Sequence, residues 1–524
     1  MTRSANNPVL RWINKNKSGL TMNINRSRFK TYYRTIFLVL SLASGAGCGG
    51  GRALIPPAPP LTIAADSFQI KREALGRAID TILSDSLLFQ ANRAVYIISL
   101  DSNREIYSLN RSSLMVPASV NKLFVTAAAY RQLGINHRFR TAVHGDSIDA
   151  LGRIKGDLYL KGLGDPELKV ADLEALAYRL RAMGLKQVTG NLIADAGYFD
   201  TTSFGYGWMW DEGPYAYNAP VSALSLNRNT FEIGLRPGSR PGRRPRAELN
   251  PRTAYLSIEN QATTVKAGSQ ARIRADRSFT GAGDLVRITG TMAADQGLSY
   301  LVRTVTNPAL YCGTVFREAL AANGIRIAGT VRAGSTPPEK PELSWHVSPP
   351  LYQIIRHMNK ESDNFTAEMI FRRLGNGQDS ITPDPAKNNR LTEMLKEMGF
   401  GQESFRMADG SGLSRYNLCT AEQLVAVLSE AYRDPALRPE LLSSLPIAGA
   451  DGTLARRLTE DQHKGVIRAK TGTLTGVSSL AGFVSGPGSQ TYCFAIMFNN
   501  YTSKANSVRA LQDSIVARLA RAAP

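Results

Sequence analysis

Strand-length apolar runs stand at both ends of this 524-residue chain, and a sheet that joins them must close across everything between. "RAVYIISLDSNREIYSLN", residues 93–110, reads as two strands about the turn-forming Asp101, Ser102 and Asn103. "SSLAGFVSG" and "TYCFAIMFNN", residues 478–486 and 491–500, read as two more, joined by Gly486, Pro487, Gly488 and Ser489. Helical periodicity flanks both pairs, at 68–88 and in the amphipathic "ANSVRALQDSIVARLARA" at 505–522. The pattern predicts an α+β fold in which one antiparallel sheet is built from the two termini and flanked by helices, with the middle of the chain as an insertion.

That middle, 141–342, has another texture. Short β-like runs ("GDLYLKG", "VTGNLIAD", "TFEIGLRPG") lie among many Gly and Pro, with one helical stretch, "ADLEALAYRLRAMG". A chain this long exceeds one compact core, so 141–342 is expected to form one or two β-rich accessory domains that interrupt a domain made of 67–140 and 343–524. Arg236, Arg240, Arg243, Arg244, Arg246 and Arg252 crowd "RPGSRPGRRPRAELNPR". They are read as a solvated loop, with contact to an anionic wall polymer as the alternative.

The formal net charge is +20. Arg3, Arg11, Lys15, Lys17, Arg26, Arg28, Lys30 and Arg34 precede any acid, and the remaining surplus suits an anionic membrane surface or wall polymer. No zinc-finger, RNA-binding aromatic or basic-zipper pattern accompanies the charge, which argues against nucleic acid. Residues 1–48 read as an export signal: basic residues, the apolar run 36–43, too short to span a bilayer, then "SGAGCGGG". Thirty-five residues before the run make a long basic segment, so Met22 is expected to be the true start. Cys48 resembles the lipid-modified cysteine of bacterial lipoproteins, although Gly45 stands where an aliphatic residue is usual. Lipidation there would tether the protein through the Gly/Pro-rich spacer 49–66, with ordinary signal cleavage as the alternative. Cys312, Cys419 and Cys493 are too few and too scattered for a disulfide framework, though one bridge is open to them. The five histidines show no ligand spacing, so no metal or other cofactor is expected.

The chemistry-bearing stretch is "VPASVNKLF", residues 116–124. Pro117 restricts the chain before Ser119 and a helical run follows, so Ser119 is expected in the first helical turn, on one face with Lys122. The lysine amine can then reach the hydroxyl, with free backbone N–H groups and the positive helix end beside the oxygen. Alone the pattern is weak: Ser27 and Lys30 match it too, and Ser119 as a helix cap is the plain alternative. Ser362, Asp363 and Asn364 add S-x-N, itself matched at Ser108 to Asn110 and Ser225 to Asn227. "IRAKTGTLTGVSS" adds Lys470, Thr471, Gly472 and Thr473 on an expected strand. Small Gly472 would let substrate approach the strand backbone, while Lys470 and the hydroxyls suit a carboxylate. Three weak signals in this order and local context make a strong one.

The set resembles S-x-x-K, S-x-N and K-T-G of the penicillin-recognising serine enzymes. The chain is similar in particular to the low-molecular-mass class C penicillin-binding proteins, the D-alanyl-D-alanine carboxypeptidase/endopeptidase family. Ser119 and Ser362 stand 243 positions apart, and a long insertion between the first two motifs is a mark of that family. "GDLYLKGLGDPEL", "GWMWDEGPYAYNAPVSALSLNRN", "MADGSGLSRYN" and "LPIAGADGTL" resemble it as well, so the likeness runs from about residue 68 to the C-terminus.

The resemblance implies the penicillin-recognising fold and acyl transfer from a D-Ala-D-X bond of peptidoglycan peptides to Ser119, followed by hydrolysis. Lys122 would be the base, its pKa lowered by burial and by the like charge of Lys470. Ser362 would bridge Lys122 and the leaving amine, and Asn364 would hold the substrate amide and Lys122. Lys470, Thr471 and Thr473 would bind the terminal carboxylate, with the N–H groups of Ser119 and Thr473 as oxyanion hole. β-Lactams would be captured at Ser119. An acid of the insertion would bind the amino end of a diaminopimelate-type side chain, Glu212 first and Asp211 second, with Trp210 and Tyr217 as walls. Residues 409–414, "DGSGLS", are expected to shape the cleft edge. A β-lactamase is the enzymatic alternative, disfavoured by the insertion, and a non-catalytic wall-binding lipoprotein is the other. A lipase-like hydrolase is disfavoured by the lack of G-x-S-x-G.

Overall fold

Apolar runs from the two ends of the chain hydrogen-bond to each other in the computed structural model, which describes residues 67–209, 211–375, 389–486 and 490–522. The strands β1 (Asn92–Ser99), β2 (Glu105–Leu109), β3 (Ile467–Leu474), β4 (Val477–Ser485) and β5 (Thr491–Asn499) form one sheet in the order β3-β4-β5-β1-β2. All four pairings are antiparallel, and β1 meets β5 in unbroken register from Asn92↔Asn499 to Ser99↔Tyr492. Asn103 takes φ +54° in the turn between β1 and β2.

Helices cover both faces of this sheet, among them α1 (Ser67–Leu83), α2 (Lys122–Leu133), α3 (Leu351–Glu361), α4 (Asn364–Gly375), α5 (Ala421–Arg433) and α6 (Ala505–Arg521). Because both faces are covered, β5 is buried at every position and reads as a continuous apolar run. Its residues divide by parity. Cys493, Ala495 and Met497 pack with α2 to α5, while Tyr492, Phe494, Ile496 and Phe498 pack with α1 and α6. Each large side chain so buried contributes about 1.5–3 kcal/mol.

The chain leaves this region through strand Arg140–His144 and returns through Glu342–Val347, and these two strands pair antiparallel, Val347 opposite Arg140. Together with the strands between them they supply the other four sheets among the described residues, of three to five strands each: one wholly antiparallel, one wholly parallel and two mixed. Two helices lie here, Val170–Ala182 and Pro308–Ala322, where the sequence reading expected one. The second was obscured by Pro308 and Gly313. Pro308 stands at its first turn, where a proline N–H would have no partner anyway, and Asn307 caps it by accepting from Leu310 N. Gly313 is a contact glycine, since a Cβ there would lie 2.7 Å from Val331. The six arginines of 236–252 are all exposed, on the hairpin of Thr230–Arg236 and Arg246–Asn250 and on the turns beside it.

Cys312, Cys419 and Cys493 are buried and free, so the one bridge left open by the sequence is not made. No described helix is long and apolar enough to cross a membrane. The export segment 1–48 with Met22 and Cys48, the spacer 49–66, Trp210 and most of the turn 486–489 lie outside the described residues.

Candidate active site

Ser119 lies in a 3-10 turn, Ala118–Asn121, that runs into α2 at Lys122. The sequence reading placed it in the first turn of an α-helix. A 3-10 turn eclipses residues three apart, which brings Lys122 Nζ to 3.0 Å from Ser119 Oγ. The residue before the serine, Ala118, has φ +50°, a left-handed conformation that costs a non-glycine residue about 1–3 kcal/mol and persists only where its surroundings impose it. Two glycines impose it here. A Cβ on Gly412 would lie 1.9 Å from Ala118 O, and one on Gly472 would lie 2.7 Å from Pro117 O and 3.0 Å from Ser119 N. Gly472 thus lets β3 pass directly over the serine turn, a closer reason for glycine than the substrate approach anticipated.

Lys122 is fully buried. Its Nζ donates to Ser119 Oγ, to Asn364 Oδ1 at 2.7 Å and to Ser411 O at 2.5 Å. Burial brings its pKa down to about 8, against the opposing pull of Asp409, Asp363 and Glu368. Lys470 is not among the causes, contrary to expectation. The repulsion is felt by Lys470 itself, held well below the usual lysine range first by burial and then by Lys122. Lys470 Nζ donates to Ser362 Oγ at 2.8 Å and to Thr471 O at 2.9 Å. Ser362 is therefore bonded to the second lysine, where the sequence reading paired it with the first. It caps α3 at φ +60°, a turn that delivers Asn364 to the start of α4, where Asn364 Nδ2 donates to Tyr217 O at 3.0 Å.

β3 is an edge strand. Ile467 O and Ala469 N turn away from the sheet to bond Ala448 N and Pro446 O. Backbone groups two residues apart point the same way along a strand, so Thr471 and Thr473 present theirs on that same edge, and no described residue bonds Thr473 N. Thr471 Oγ1 donates to Thr453 Oγ1 at 2.8 Å, and Arg509 Nη2 donates to Thr473 Oγ1 at 3.0 Å. Sequence reasoning passed over Arg509. It sits in an amphipathic helix among other basic residues, and only folding α6 beside β3 brings it to the K-T-G strand.

Glu212 Oε2 accepts from Tyr217 OH at 2.6 Å, which ties it through one residue to Asn364. Asp211 is exposed beside it. Residues 409–414 do more than edge the cleft, since Ser411 O is a direct partner of Lys122. No described cluster of His, Cys, Asp or Glu could hold a metal ion.

An eclipsed Ser-Lys pair on a helix start, an S-x-N turn and a K-T-G edge strand over the serine define a penicillin-recognising serine peptidase. The chain belongs to the D-Ala-D-Ala carboxypeptidase 3 (S13) family, whose profile matches residues 75–522, and is a serine-type carboxypeptidase of the low-molecular-mass class C kind. It is 34% identical over 498 residues to a D-alanyl-D-alanine carboxypeptidase of Actinomadura sp., covering 90% of this chain and 91% of the relative. A D-alanyl-D-alanine carboxypeptidase DacB of Haemophilus influenzae is 28% identical over 412 residues, covering 77% of this chain and 85% of the relative. The crystal structure of penicillin binding protein 4 (dacB) from Haemophilus influenzae superposes with a TM-score of 0.72 at 25% identity, covering 84% of this chain and 99% of that one.

Proposed function

We propose that Ser119 is the nucleophile and Lys122 the base of an acyl transfer from D-Ala-D-X bonds in peptidoglycan stem peptides. The observation that carries this is Lys122: buried, 3.0 Å from the hydroxyl, with a pKa brought down to about 8. It can accept the Ser119 proton as the oxygen bonds to the carbonyl carbon. The N–H groups of Ser119 and Thr473 stabilise the oxyanion. When the C–N bond breaks, the proton passes from Lys122 to the leaving nitrogen through Ser362, which turns to it from Lys470. Water then repeats the cycle on the acyl-enzyme, and Lys122 returns a proton to Ser119.

The terminal carboxylate is bound by Thr471, Thr473 and Lys470, with Arg509, which donates to Thr473 Oγ1, as a further cation at that edge. Asn364 holds both the substrate amide and Lys122. Glu212, with Asp211 second, receives the amino end of a diaminopimelate-type side chain. Residues 67–140 and 343–524 are the catalytic domain and 141–342 its insertion. The protein is exported, with Cys48 lipidated and the spacer as tether. Incubating purified protein with cross-linked and uncross-linked muropeptides, and weighing the products, tests the reading. Loss of D-Ala or scission of the cross-link, absent in Ser119→Ala, is expected; unchanged muropeptides would sink it.

A further inference from the structure

Asp409 is a fully buried carboxylate that the mechanism above leaves without a task. Its Oδ2 accepts from Trp208 Nε1 at 2.7 Å, Ser411 Oγ at 2.5 Å and Leu413 N at 3.2 Å. Its Oδ1 accepts from Gly412 N at 2.9 Å and from Asn417 Nδ2. Among the described residues no lysine, arginine or histidine pairs with it within 4.0 Å. A buried charge normally sits beside an opposite charge; this one is held by N–H and O–H donors alone.

The bonds of Asp409 converge on the serine turn. Its own carbonyl accepts from Asn121 Nδ2 at 2.8 Å, two residues from Ser119. The loop it organises delivers Ser411 O to Lys122 Nζ and lays Gly412 against Ala118 O. On the other side, Gly410 N donates to Glu368 Oε2 at 2.8 Å, and a Cβ on Gly410 would lie 2.4 Å from Phe371, so the loop is wedged against α4. Trp208 comes from the inserted region. The segment around it is clamped to α4 by Arg372, which donates to Thr202 O and to Phe204 O at 3.0 Å.

We propose that Asp409 is the positioning residue for Lys122, and that Trp208 of the inserted region locks it in place. The insertion then helps to aim the base of a site whose reacting groups all lie outside it. The inference rests on the proposed roles of Ser119 and Lys122. The charged groups facing Lys122 are Asp409, Asp363, Glu368 and Lys470; the three carboxylates favour its protonated form, with Asp409 the strongest of them.

The test is the rate of acylation by a fluorescent penicillin, as a function of penicillin concentration and of pH, with the thermal unfolding midpoint measured alongside. Asp409→Asn is expected to lower the limiting acylation rate about tenfold or more through misplacement of Lys122. It should also move the acid limb of the pH profile to lower pH, because a carboxylate that favoured the lysinium ion is gone. Trp208→Phe keeps that charge and loses one hydrogen bond, so it should slow acylation severalfold with non-covalent binding and the acid limb unchanged. A folded Asp409→Asn protein that acylates at the unaltered limiting rate, or whose acid limb does not move, overturns the proposal. Should that variant not fold, Trp208→Phe decides, and acylation at the unaltered rate overturns it. No labelling of the unaltered protein would instead overturn the roles of Ser119 and Lys122, and this inference with them.

Discussion

In the proposed mechanism the chemistry turns on Lys122, and its environment sets a pH signature. Burial lowers the pKa, so the neutral base is populated above about pH 8 and lost below it. The acylation rate should therefore rise with pH through that value, read from the acid limb of its profile. Lys122→Arg keeps a cation that cannot be deprotonated and should lower the rate by about 10²- to 10⁴-fold. For Arg509 the expectation differs. Arg509→Ala should raise KM for substrates with a free C-terminal carboxylate and leave those with an amidated terminus unaffected, measured by steady-state kinetics on the two. At this scale the sequence was legible wherever local spacing decided the contact, as for Ser119 with Lys122. It was silent on Arg509 and on the bond Ser362 makes to Lys470, because which lysine a hydroxyl meets depends on how α3 and β3 dock.

At the scale of elements, the loop 409–414 and the serine turn are packed backbone to backbone. Gly412 has φ +82° and no room for a side chain. Gly412→Ala should destabilise the protein by about 1–3 kcal/mol and slow acylation, the first seen in denaturant unfolding and the second in penicillin labelling. Glu368 in α4 is buried, and burial raises its pKa to about 7 despite Arg372. A carboxyl that holds its proton more tightly when folded makes the folded state bind more protons than the unfolded one between the usual carboxylate range and about 7. Stability must then fall as pH rises through that window. Glu368→Gln should flatten that fall in a series of unfolding midpoints against pH. Periodicity gave the flanking helices and the four apolar strands, whereas the 3-10 geometry at Ser119 and the helix Pro308–Ala322 were hidden by residues that read as breakers.

For the molecule as a whole, the end-to-end sheet could be read because β5 and β1 are apolar on both faces and lie far apart in sequence. The insertion was readable only as texture, since short half-exposed strands carry little periodicity. Its approach to the cleft near Tyr217 was anticipated only from the resemblance, and the bond from Trp208 to Asp409 has no local signal at all. Burial also fixes the thiol chemistry: it pushes the pKa of Cys312, Cys419 and Cys493 up, and none is bridged. These three should resist an alkylating reagent in the native protein and react fully after denaturation, with no change on prior reduction, as read by peptide mass mapping. The central claim, that the first of the three motifs carries the nucleophile, is tested most directly by incubating the protein with a β-lactam, digesting it and locating the adduct by mass. The account predicts one covalent acyl group on Ser119, missing in Ser119→Ala; an adduct on any other residue, or none, would contradict it.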